Sequence, residues 1–300
     1  MRVSNVAAAV LLALPSAHGQ QAHVPNIPGF KLVWADDFQG KAGSPPDPAN
    51  WIVDTGTSYP GGPPQWGTWE VQTYTNSSAN LQVTGQGTLA ITALRDANGG
   101  WTSGRIETKR SFVTEPGTRM RIQARLKLPN FGPRGIGYWA AFWTLGKEYR
   151  GNYMNWPWVG EIDIMENVNN VNRIWGVLHC DKSPGGACNE PSGIARTRDC
   201  PRFGPCPGNF RTYSVEIDRT RYPETIRWEV DGNLYHILNQ AQLPAAVWRQ
   251  TFQKEHFVLL NMAMGGAFPD AIFGSKTPIA STLPGGTFEA QYVAVYSTTR

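Results

Sequence analysis

Apolar and polar residues alternate along "KLVWADDF" (31–38), "LAITAL" (89–94), "GRIETKRSFV" (104–113), "MRIQARLKL" (120–128), "RTYSVEID" (211–218) and "TIRWEV" (225–230). A period of two puts successive side chains on opposite faces, so these stretches predict half-buried β-strands. In "WEVDGNLYHI" the pair Asp231-Gly232 separates two such runs and suits a type I′ turn, which predicts a tight hairpin. "GYWAAFWTLG" (137–146), "GEIDIMEN" (160–167) and "EHFVLLNMAMGG" (255–266) are more continuously apolar and predict central strands covered on both faces. The one helical stretch expected lies near "AAVWRQTF" (245–252). No internal repeat, linker or composition break divides the chain, so the pattern predicts a single large all-β sandwich.

Composition agrees with a large core: 41% of the 300 residues are hydrophobic and 17% charged, with 32 Gly, 23 Pro and 12 Trp. The net charge of +4 comes from scattered basic residues, so no nucleic-acid partner is expected. The N-terminus, "MRVSNVAAAVLLALPSAHGQQ", reads as a secretory signal over residues 1–19. Arg2 supplies the positive region, Val6 to Leu14 the apolar one, and Ala17 and Gly19 the small residues before a cut at Gln20. Residues 20–300 are then one exported domain, with no membrane span expected. Cys180, Cys188, Cys200 and Cys206 all lie in one Gly- and Pro-rich window, which reads as a loop stapled by two disulfides. Three pairings are open. The spacings are looser than the tight pairs of a four-thiolate zinc site. Asn76 in "NSS" begins an N-glycosylation sequon.

The chemistry concentrates in "GEIDIMEN", where Glu161, Asp163 and Glu166 crowd into an apolar strand. Glu161 and Asp163 share a face, but Glu166 has the wrong parity. One extra residue, a β-bulge, would bring Glu166 to the face of the other two and leave Ile162 and Ile164 in the core. The two Glu would then stand about four strand steps, or roughly 13 Å, apart along the backbone. Side chains leaning together bring the carboxyls to roughly 5–6 Å, near the spacing of a retaining glycosidase. Three carboxyls this close cannot all ionise at neutral pH, so one is held protonated as an acid while another stays charged as a nucleophile. Which Glu takes which role is open at this level. A solvated strand face fits poorly, because like charges on one face repel. Calcium fits poorly as well, because a linear trio offers too few converging oxygens.

"GEIDIME" resembles the active-site strand of glycoside hydrolase family 16 in the bulged ExDxxE form of its laminarinase-like members. The resemblance extends over nearly the whole chain after the signal, through "KLVWADDF", "DPANW", "EVQTYT", "WTSGRIET", "YWAAFWTLG", "WPWVGEIDIMEN", "WGVLHC", "LLNMAMGG" and "YVAVYS" in family order. It implies a β-jelly-roll sandwich of the concanavalin A-like lectin and glucanase type, with a cleft across the concave sheet. By motif position Glu161 would be the nucleophile, Asp163 its assistant and Glu166 the acid/base. The resemblance also implies sugar-facing roles for Trp139, Trp143 and Trp158, a sugar contact for Arg105, a place for His179 near the acid/base, and cleft-lining positions for Glu70 and Trp66. It implies a secreted, monomeric, cofactor-free endo-β-1,3-glucanase acting on a polysaccharide. A β-1,3-galactan or mixed-linkage glucan is the alternative substrate, and a non-catalytic lectin the alternative class. Three departures stand out. "WGTWEVQ" replaces the "NNELQ" of many members, the cysteine-stapled loop is longer, and Gln291 stands where many members carry an Asp that helps bind a structural calcium.

Overall fold

A computed structural model describes residues 24–201 and 204–299. The expected signal lies in residues 1–23, outside the described residues. The first strands are β1 (Lys31–Asp36), β2 (Trp51–Asp54), β3 (Gln72–Tyr74), β4 (Leu81–Val83), β5 (Leu89–Arg95) and β6 (Trp101–Ser103). They are followed by β7 (Arg105–Thr108), β8 (Arg119–Lys127), β9 (Tyr138–Gly146), β10 (Glu161–Val168), β11 (Arg173–His179) and β12 (Ile194–Asp199). The last are β13 (Phe210–Asp218), β14 (Thr225–Val230), β15 (Asn233–Asn239), β16 (His256–Met264) and β17 (Gly286–Ser297). Two short helices, α1 (Ala245–Phe252) and α2 (Ala267–Phe273), flank β16.

The strands form two stacked sheets. One runs β12-β11-β10-β9-β16-β7-β2. The other runs β15-β14-β13-β8-β17-β5-β6-β3, with β1 on β17 and β4 on β5. Alternation explains the layer between them. Ile122, Ala124 and Leu126 of β8 and Val293 and Val295 of β17 meet Phe142 of β9, Ile162 and Ile164 of β10 and Leu260 and Met262 of β16, all buried. Every residue of β16 is buried, as its unbroken apolar run predicts. At the expected hairpin Asp231 and Gly232 have φ of 49° and 73°, and Val230 pairs Asn233 across a two-residue turn.

Two elements differ from expectation. The stretch 104–113 is not one strand: β7 ends at Thr108, exposed Lys109 and Arg110 turn the chain, and Phe112 rejoins by a single bridge to His256. The helix α2 follows β16 directly, because Gly265 and Gly266, at φ of 61° and 101°, turn the chain out of the sheet. The disulfides pair neighbours, Cys180 with Cys188 and Cys200 with Cys206. Gln291 Oε1 accepts from Arg125 Nε at 2.7 Å.

Candidate active site

The extra residue in β10 is explicit in the register. Glu161 and Glu166 face His179 and Trp175 on β11, and Leu145 and Ala141 on β9. Six residues on β10 therefore match five on each neighbour, and Glu161, Asp163 and Glu166 share the face turned away from the core. Gly176 lies opposite the irregular stretch between Asp163 and Glu166.

Side chains from the other sheet satisfy the carbonyls freed there. Trp228 Nε1 donates to the Asp163 carbonyl at 2.9 Å, and Tyr235 Oη to that of Ile164 at 3.5 Å. Gly176 makes room for both: a Cβ there would lie 2.5 Å from Tyr235 Oη and 2.7 Å from Trp228 Cδ1. Replacing Gly176 by Val should push these rings off the bulge and lower stability by about 1–3 kcal/mol. Any catalysis by the strip should fall with it, and thermal melting alongside an activity assay checks both.

Asp163 and Glu166 are 3% and 7% exposed. Burial raises the pKa of all three carboxyls above the usual carboxylate range. Asp163 goes well above it, through burial first and then the charges of Glu161 and Glu166, and its carboxyl hydrogen-bonds Glu161. Glu166 rises to about 7 through burial, against the pull of its hydrogen bond from Trp139 Nε1 at 2.8 Å. Glu161 keeps help for its charge: Trp156 Nε1 donates to Oε2 at 3.1 Å, and the neighbouring His179 pulls its pKa down. The strip therefore holds one supported carboxylate and one acid that is protonated up to neutrality. Replacing Trp156 by Phe removes a charge-assisted donor worth about 1.5–3 kcal/mol. Turnover should drop about tenfold to a hundredfold, with the acid limb of the pH profile moving up; steady-state kinetics against pH check it.

A carboxylate oxygen of Glu161, one of Asp163 and a ring nitrogen of His179 all lie within 4.8 Å of one another. His179 Nε2 stands 3.4 Å from Asp163 Oδ2, and Nδ1 stands 2.7 Å from Glu190 Oε2. Trp143 pairs Asp163 in register and gives its Nε1–H to Asn261 Oδ1 at 2.8 Å. The Arg105 guanidinium lies 4.4 Å from the Trp66 ring centre and 5.0 Å from that of Trp143, while its Nε donates to Asp54 at 3.0 Å. Arg105 is thus fixed between two rings and a carboxylate.

The remaining sequence candidates sit less directly. Glu70 is buried and accepts from Thr68, Gln72 and Tyr74. It reaches the cleft only through Tyr74, whose hydroxyl accepts from Asn261, the residue that holds Trp143. Trp158 is 40% exposed, and Trp156, two residues earlier, makes the contact with Glu161. Trp69 is 61% exposed and held at φ 65°, just after a run of positive-φ residues at Gln65, Trp66 and Gly67. Sequence reasoning missed Trp156, Asn261 and Glu190. Asn261 carried a signal, as a polar residue inside an apolar strand. Glu190 carried none, because only the folded loop brings it to His179.

Residues 69–198 match a family described as XgeA-like, catalytic GH16 domain. The chain is 33% identical to a beta-glucanase of Rhodothermus marinus, over 81% of this chain and 78% of that protein. It is 31% identical to glucan endo-1,3-beta-glucosidase A1 of Niallia circulans over 91% of this chain, yet spans only 38% of that protein's length. Its structure superposes on that of an endo-1,3-beta-glucanase from Streptomyces sioyaensis with a TM-score of 0.90 and 48% identity, covering 93% of this chain and 100% of that one.

Proposed function

The chain belongs to glycoside hydrolase family 16 and has its jelly-roll fold, and on that premise we propose that it is an exported endo-β-1,3-glucanase that cleaves laminarin-type glucan with retention. The observation that carries the reading is the bulged strip that brings three carboxyls to one face, with the Glu166 pKa raised to about 7 and a donor on Glu161. In the first step Glu161 attacks the anomeric carbon while Glu166 gives its proton to the departing glycosidic oxygen. Forming the ester removes the Glu161 charge, so the pKa of Glu166 falls and it can take a proton from water. That water opens the ester and restores both groups, leaving the anomeric configuration unchanged overall. Asp163 keeps its proton, donates a hydrogen bond to Glu161 and holds the nucleophile in line. Trp66 and Trp143 offer flat apolar rings to the sugar, and Arg105, packed between them, holds them in place.

Residues 20–300 act as one catalytic domain, working as a monomer without a cofactor. The signal-like N-terminus and two disulfides support export. Among the described residues no helix is long and apolar enough to cross a membrane. A β-1,3-galactan is the second reading, favoured by one observation: the segment "WGTWEVQ" carries a Trp69 that is 61% exposed and so open to a different sugar contact.

Incubation with laminarin, barley β-glucan and β-1,3-galactan, followed by measurement of new reducing ends, tests the reading. Fastest release is expected from laminarin. Release from galactan alone would move the assignment to the second reading, and binding without release from any would make the protein a lectin.

A further inference from the structure

We propose that Glu190, two residues beyond the loop closed by the Cys180–Cys188 disulfide, is a positioning residue that holds His179 as an imidazolium oriented on Asp163 and Glu161. The inference rests on the functional reading above. The Glu190 side chain is wholly enclosed, with a relative exposure of 0%. Both its oxygens are used: one accepts from the backbone N–H of Cys180 at 2.8 Å, the other meets His179 Nδ1 at 2.7 Å. A carboxylate without water needs a cation, and the imidazole is the group in contact with it. With Nδ1–H committed to Glu190, the ring presents Nε2 to Asp163 Oδ2. Four carboxyls surround the ring, Glu161, Asp163 and Glu166 from β10 and Glu190 from the loop, and the Trp156 ring packs 5.5 Å away.

The loop is built to deliver this contact. Cys180 directly follows His179, and Cys188 lies two residues before Glu190. Gly185 and Glu190 exchange both backbone hydrogen bonds, at 2.8 and 2.6 Å. Gly193, at φ 66°, lets the chain pass against the ring; a Cβ there would lie 2.9 Å from His179 Cε1. Burial alone would lower the His179 pKa, but the Glu190 hydrogen bond and the Glu161 and Glu190 charges raise it. The imidazolium in turn pulls down the pKa of Glu161 and of Glu166.

Glu190→Gln keeps the shape and the backbone contact but removes the charge. The alkaline limb of the kcat/KM profile on laminarin should move to higher pH by about half a unit or more, since Glu166 loses a neighbouring cation, while the acid limb moves less, since Glu161 loses the opposing Glu190 charge as well. The kcat should fall about tenfold with KM little changed, because the residue touches no sugar. His179 should titrate about one unit lower by NMR. Removing Cys180 and Cys188 together, as Ser, should shift the profile the same way, whereas removing Cys200 and Cys206 should leave it in place. An unshifted profile and an unchanged His179 titration in a folded Glu190→Gln protein overturn the proposal. Should that variant not fold, the wild-type NMR titration decides: a neutral ring at pH 6, or one without an Nδ1 proton, overturns it. That titration uses no substrate, so it stands apart from the glucanase reading, which fails if the wild type releases no reducing ends from laminarin.

Discussion

Replacing Glu161 by Gln is expected to stop glucan hydrolysis, cutting turnover by about four orders of magnitude. An amide has nearly the shape of the carboxylate, and its oxygen can still accept from Trp156. What it lacks is a charge able to form a glycosyl ester, so binding persists while the first chemical step does not. Stability should not fall. Burial raises the Glu161 pKa above its ordinary value of 4.5, so the ionised group costs the folded state energy at neutral pH. Reducing-end assays, calorimetric binding of a laminarin oligosaccharide and thermal melting together make the test. Turnover within tenfold of the wild type would take the nucleophile role away from Glu161.

Loss of Glu166 should have the second largest effect, and one that depends on the leaving group. Glu166→Ala should lose most activity on glucan, whose leaving group needs a proton, and far less on an activated aryl glycoside, whose leaving group does not. Azide should then speed turnover of the aryl glycoside and yield a β-glycosyl azide, because it attacks an α-linked ester from the face that the general base served. An α product would contradict an acid/base at position 166 in a retaining enzyme.

The pH behaviour carries a sign. Glu166 titrates at about 7, so the general acid is lost as pH rises through that value, and the alkaline limb of the wild type should fall there. The same shift bears on stability. The folded-state value lies above the ordinary 4.5, so the folded protein holds the extra proton more tightly. The penalty is absent below pH 4.5 and complete above pH 7, where it amounts to about 3 kcal/mol. Glu166→Gln should therefore melt higher than the wild type above pH 7 and lose that advantage in acid. An equal melting temperature at pH 8 would mean that Glu166 is already ionised at no cost.

Much of this molecule is legible in its chain. Period-two alternation marked β8, β13 and β14, the unbroken apolar run marked β16, and Asp231-Gly232 marked a turn whose φ values are both positive. Each of these is local: the alternation or turn chemistry of a few residues decides it. The bulge was legible for the same reason, since parity within six residues forces Glu166 off the face unless a residue is inserted.

Other features are not local. That β7 stops at Thr108 depends on the route the chain takes to reach β16. The room for the bulge comes from Gly176, Trp228 and Tyr235, on three strands and both sheets. Trp156 rather than Trp158 reaches Glu161 because the 147–160 loop folds back over the sheet. Glu190 stands eleven residues from His179 in sequence but at hydrogen-bond distance in space. By itself, then, the sequence determined the strands, the acidic strip and its parity, because backbone geometry repeats every two residues. Tertiary structure alone decided which donors and charges surround that strip, and hence which carboxyl keeps its proton. Burial and Coulomb forces act through space and are blind to the order of residues along the chain.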